Sequence, residues 1–144
     1  MIKTRQTVRG AIPGSEIQKA YQEVFKVPWW RMWFSSPFKL ADQSYLEADE
    51  VLIGAILGQD KTDLEQYQAE EFDCDDFAFR LMGAFHNNLK TAAMPIFITW
   101  IAMPQGGHAL LSYYSQGQVK IIETQTDEII FTVPKNWQLL LLCG

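Results

Sequence analysis

From Pro95 to Leu142 the chain alternates β-rich runs with turn signals, and no other stretch limits the possible folds so tightly. Residues 96–103 read as a strand bounded by Pro104-Gln105-Gly106-Gly107, and 108–115 follow as a second. Gln116-Gly117 is a two-residue hairpin turn into 118–123, and strands over 128–133 and 137–142 complete an antiparallel meander. Trp100 and Trp137 fall in or beside these strands and are expected to pack against the sheet core.

Before Lys90 the texture is helical. Ser15 with Gln18 reads as a reciprocal N-cap, and Ile17, Ala20, Tyr21, Val24 and Phe25 supply an apolar stripe that stops before Pro28. Ser44 with Glu47 repeats the cap ahead of a helix ending at Gly58, and Thr62 with Glu65 repeats it for a short helix over 63–69. A long helix follows over about 75–90. Residues 1–14 read as an irregular arm, and the aromatic run 28–34 reads as core, with a groove or partner surface as the alternative. Helices followed by strands predict an α+β domain with the helices on one face of the sheet. The length of 144 residues, 48% of them hydrophobic, suits one domain over 1–144.

The chemistry concentrates in Glu71-Phe72-Asp73-Cys74-Asp75-Asp76-Phe77-Ala78. Cys74 falls at the start of the long helix, where unpaired backbone N–H groups and the positive end of the helix dipole favour a thiolate. Asp73, Asp75 and Asp76 oppose that effect unless they cap the helix, form ion pairs or hold a cation. Three carboxylates beside a working thiolate suit a hard divalent ion, most simply calcium, with Asp127 or Glu128 adding oxygens. The plain alternatives are a small buried cysteine and solvated first-turn acids.

There are two histidines. His86 lies within the long helix beside two asparagines, in a surface or capping setting. His108 leaves a Gly-Gly turn at a strand start, where an imidazole can serve as general base to Cys74. A third group must orient that ring from the neighbouring strand. Across the Gln116-Gly117 turn, facing residues have numbers adding to about 233. That sets Gln125 opposite His108 and Glu123 two positions away. A carboxylate better stabilises imidazolium, so Glu123 is the first choice, Gln125 the amide substitute and Asp127 less well placed.

The order Asp73-Cys74-Asp75-Asp76-Phe77-Ala78, Gly107-His108-Ala109-Leu110 and Ile122-Glu123-Thr124-Gln125 resembles papain-like and transglutaminase-like cysteine enzymes. It is most similar to the cysteine-protease domain of fairy-ring-mushroom-type agglutinins and its small bacterial and phage relatives, over about residues 60–137. The resemblance implies a papain-like fold, a Cys74/His108/Glu123 triad and calcium held by Asp75 and Asp76. It also implies a glutamine six residues before the cysteine as oxyanion donor, which is Gln68 here. Set beside the agglutinins, the sequence is expected to depart from them in having no lectin domain.

These readings give a cysteine hydrolase, a peptidase acting on a peptide or protein, with no organic cofactor. The alternatives are transglutaminase-like acyl transfer, or an inactive binding or phage-structural domain on the same fold. A net charge of −5 and an isoelectric point near 4.9 argue against nucleic acid as a partner. No apolar run approaches the roughly 18 to 20 residues of a membrane span, and the first sixteen residues lack the core of an export signal. Cytoplasmic placement with Cys74 and Cys143 as free thiols is therefore expected.

Overall fold

The computed structural model describes residues 11–144. In chain order the elements are β1 (Ala11–Pro13), α1 (Gly14–Val24), α2 (Trp29–Phe34), β2 (Phe38–Lys39), β3 (Ser44–Leu46) and α3 (Glu50–Gln59). A single 3-10 turn at Thr62–Leu64 precedes α4 (Cys74–Asn87) and α5 (Leu89–Ala92). The strands β4 (Ile96–Met103), β5 (Gly106–Ser115), β6 (Gln118–Glu123), β7 (Glu128–Ile130) and β8 (Gln138–Cys143) follow. The basic positions Lys3, Arg5 and Arg9 lie outside the described residues.

The strands β4 to β7 form the expected antiparallel meander, but the sheet does not end there. Its order is β2-β8-β4-β5-β6-β7, so β8 returns to the far side of β4, and β2 pairs parallel with β8 through Phe38↔Leu142. The register across β5 and β6 is Leu111↔Ile122 and Ser115↔Gln118, the pairing that a two-residue turn dictates. A separate two-stranded ladder joins β1 to β3.

The expected one-sided α+β layout, an antiparallel sheet with its helices on one face, is corrected by a mixed six-stranded sheet covered on both faces. On one face, Ile17 and Tyr21 of α1 and Phe25 just after it pack with Phe97, Ile101, Leu110, Tyr114 and Ile121. On the other, α3 and α4 bring Ile53, Leu81 and Phe85 against Ile96, Ile98, Ala109, Leu111 and Ile122. The cause is in the strands themselves. β4 and β5 carry near-continuous apolar runs, and such strands need cover on both sides. The polar exceptions pair with each other: Tyr21 Oη lies 2.7 Å from Ser112 Oγ, which lies 2.6 Å from Thr99 Oγ1, all buried. Trp100 and Trp137 are half-buried against the two cores.

Several local expectations change. Of the irregular arm expected over 1–14, Ala11–Pro13 form β1, residues 1–10 lie outside the described residues, and α1 begins at Gly14 after Pro13 with no side-chain cap, so Ser15 does not open it. Ser44 does not cap a helix but belongs to β3, and α3 is capped by Asp49, whose Oδ1 accepts from Leu52 N at 3.1 Å. The helix over 63–69 shrinks to the 3-10 turn, because residues 68–72 close into a loop by Gln68 N→Phe72 O at 2.8 Å and Phe72 N→Gln68 O at 2.7 Å. The aromatic run 28–34 forms α2, with most of its rings in solvent.

Candidate functional site

Cys74 is the first residue of α4, and two contacts hold the preceding loop on that helix. Phe72 meets the Phe77 ring at a centroid distance of 4.6 Å, and Arg80 donates to Glu65 Oε1 at 2.7 Å. Cys74 is half-buried against the core beneath α4 and is a free thiol. The first half of α4 lies towards the His108 end of β5. Phe79 stacks edge-on against Trp100 at 5.8 Å, Trp100 pairs with Ala109, and the next register pair is Ile101↔His108.

His108 follows the turn at Gly106, whose φ of +135° is open to glycine. Its Nε2 donates to Glu123 Oε2 at 2.8 Å, with the two side chains 14% and 21% exposed. The second oxygen, Glu123 Oε1, accepts from Gln125 N at 3.3 Å, so Gln125 supports the carboxylate through its backbone. The turn beyond is tied to the same residue by Asp127 N→Glu123 O at 2.8 Å. β6 leaves β5 after Ile122, which is why Glu123 and not Gln125 reaches the ring. With Nε2 engaged, Nδ1 is the ring nitrogen available to another partner. Among the described residues no hydrogen bond joins Cys74 to His108, and the Gln68 side chain is exposed and makes none.

Three aspartates do converge. One carboxylate oxygen each from Asp73, Asp75 and Asp76 lies within 4.8 Å of the others. Asp73 N donates to Asp76 Oδ2 at 3.3 Å, one half of a capping box. The Asp73 carboxyl is held above its usual range by its hydrogen bond with Asp75, then by burial and by the charges of Asp75, Asp76 and Glu70. Asp73 Oδ1 is enclosed without a partner among the described residues. Asp127 is not of this group: burial and the charges of Asp63 and Asp60 push its carboxyl up to about 6. Nothing in the linear sequence joins Asp127 to Asp60 and Asp63, since the contact depends on how the turn after β6 folds back.

The fold matches about half of each of two solved chains. PSL1a in its complex with E64 superposes with a TM-score of 0.77 at 17% identity, covering 93% of this chain and 51% of its own. Polyporus squamosus lectin bound to the human-type influenza-binding epitope Neu5Acα2-6Galβ1-4GlcNAc superposes at 0.73 with 16% identity, covering 93% and 49%. This chain thus spans about half the length of those chains, and identity at this level speaks for the fold alone. No family model matches, and neither does any curated protein. The expected identification as a papain-like cysteine peptidase is accordingly corrected to a likeness to lectin chains. With it the papain-like fold class and the peptidase and acyl-transfer functions are withdrawn. The physical reason is that a Cys, His, acid order is short, and such constellations recur on unrelated folds. No described helix is long and apolar enough to cross a membrane.

Proposed function

We propose that Cys74, His108 and Glu123 form a nucleophilic thiol site that captures an electrophilic ligand. The observation that carries this reading is the 2.8 Å bond from His108 Nε2 to Glu123 Oε2, which orients the ring and leaves Nδ1 for a thiol proton. In the step proposed, the Cys74 proton passes to Nδ1 and the sulfur electron pair forms a bond to a ligand carbon. The electrons displaced from that carbon move onto its neighbouring heteroatom, and Glu123 stabilises the imidazolium. Backbone N–H groups at the α4 start, with Gln68 as a candidate from the loop before it, would receive the charge on that heteroatom. A reducing, cytoplasmic setting would keep Cys74 and Cys143 free for this chemistry.

The PSL1a complex makes E64 the natural probe. Intact-mass analysis after incubation should show E64 retained by the wild-type chain and absent from Cys74→Ser. Equal retention by both proteins, or none by either, would contradict the proposal.

The aspartate trio supports a calcium ion beside the thiol, since three carboxylates within reach of one ion are hard oxygen donors and an ion would offset their mutual repulsion. A second reading, carbohydrate binding, is favoured by the sialylated epitope in the other lectin structure. One melting series addresses both. Calcium added to chelator-treated protein, or Neu5Acα2-6Galβ1-4GlcNAc added to the chain, raises the melting temperature where it binds the native state. An unchanged temperature at millimolar ligand counts against the reading concerned.

A further inference from the structure

α1 ends beside a cavity that gathers two cations. The helix closes with Lys26 N→Glu23 O at 3.3 Å and Val27 N→Gln22 O at 3.0 Å, the paired bonds that take up its terminal carbonyls. That closure holds Lys26 in a left-handed backbone at φ 51°, where glycine is the usual residue and a β-carbon is unfavourable. What a lysine adds there is a charged side chain at the edge of the cavity. The cavity holds about 240 Å³ between the end of α1, the start of α2 and β8. Phe25, Val27, Pro28 and Leu139 form its apolar wall, and Trp30, 52% exposed, lines one side.

The polar groups of the cavity are Lys26, Arg31 and Gln138, with no carboxylate among them. Arg31 Nη1 donates to Leu139 O at 2.8 Å, which engages one of the five N–H donors on its planar fork. Among the described residues neither Lys26 nor Arg31 forms an ion pair, in a chain where 17 acids face 12 bases. Two uncompensated cations and an amide select an anion, and the two oxygens of a carboxylate match the guanidinium fork. The apolar wall and the Trp30 ring select a flat, apolar body for that anion. An apolar cavity of roughly 150 Å³ takes benzene, so this one has room for a single ring and its acid group. Phosphate has no apolar part to set against the wall and, as a dianion, loses more hydration on entry.

We propose that this cavity is a binding site for a small aromatic carboxylate, its acid group between Lys26 and Arg31 and its ring against Trp30 and Leu139. The cavity lies on the face of the sheet opposite Cys74, so its occupancy is independent of the thiol site. Ligand-observed NMR titration of the full chain with benzoate at low salt provides the test, with benzamide as the uncharged counterpart and inorganic phosphate as the anion without a ring. Benzoate should bind with a dissociation constant of about 1 mM or below, at least about tenfold tighter than either comparison compound. Lys26→Gly should weaken benzoate roughly three- to fivefold, as befits an exposed charge. The same variant should melt at the wild-type temperature or above it, because glycine suits the left-handed backbone, so a loss of binding is not a loss of fold. Trp30→Ala should weaken benzoate by a similar factor, and Cys74→Ser should bind it as wild type does. Failure to saturate by about 10 mM benzoate overturns the inference. So does equal binding of benzamide or of phosphate, or an affinity that either Lys26→Gly or Trp30→Ala leaves unchanged.

Discussion

At the scale of single residues, the proposed site and a strained backbone meet in the turn after β6. Glu123 spends one carboxylate oxygen on His108 and the other on Gln125 N, so its orientation is fixed from both sides. Four residues on, Asp127 holds a left-handed backbone at φ 60° and a carboxyl pushed up to about 6 from an ordinary 3.8, by burial first and then by Asp63 and Asp60. A raised carboxyl binds its proton more tightly in the folded chain. Its contribution is therefore fully present below about pH 4 and is lost as pH rises through about 6. Asp127→Asn removes the penalty while keeping a residue type that tolerates the left-handed backbone. We expect the variant to be more stable than wild type at pH 7 by about 1 kcal/mol, discounted from the full shift because the site is only partly buried. The gain should vanish by about pH 3.5. Melting curves at the two pH values check this, and an equal offset at both would contradict the origin assigned to the shift.

At the scale of elements, the sequence was most legible where structure is local. The long helix from Cys74, the turn at Gln116-Gly117 and the pairing of Leu111 with Ile122 follow from periodicity and hairpin geometry alone. What failed depends on distant partners. Ser44 and Glu47 satisfy a capping pattern, yet β1 claims Ser44–Leu46 as a strand partner. β8 looks like the last step of the meander, yet it crosses to β4 and accepts β2 in parallel. One misreading was avoidable: Ile96–Ile101 and Ala109–Tyr114 lack the polar alternation of a one-faced sheet, and that absence already calls for helices on both sides. The aromatic face of α2 was not legible, because composition gives the apolar content of a helix but not the side its neighbours leave open.

At the scale of the whole molecule, two cores back to back on one sheet place α4 and β5 against each other, with the first half of the helix towards the His108 end of the strand. The candidate site was legible as a list of residues, because cysteine, histidine and carboxylate occur at few positions here. The likeness to the solved chains was not, because those residues carry chemistry that many folds share. The central claim is that His108, held by Glu123, delivers a reactive thiolate at Cys74. It is tested most directly by the rate of iodoacetamide alkylation at Cys74, followed by peptide mass mapping from about pH 5 to 9 in wild type and His108→Ala. The account predicts wild-type labelling well below pH 8, at least about tenfold faster than in His108→Ala at the same pH, with Cys143 as the internal reference. Identical rates in the two proteins, or Cys74 labelling only after denaturation, would contradict it.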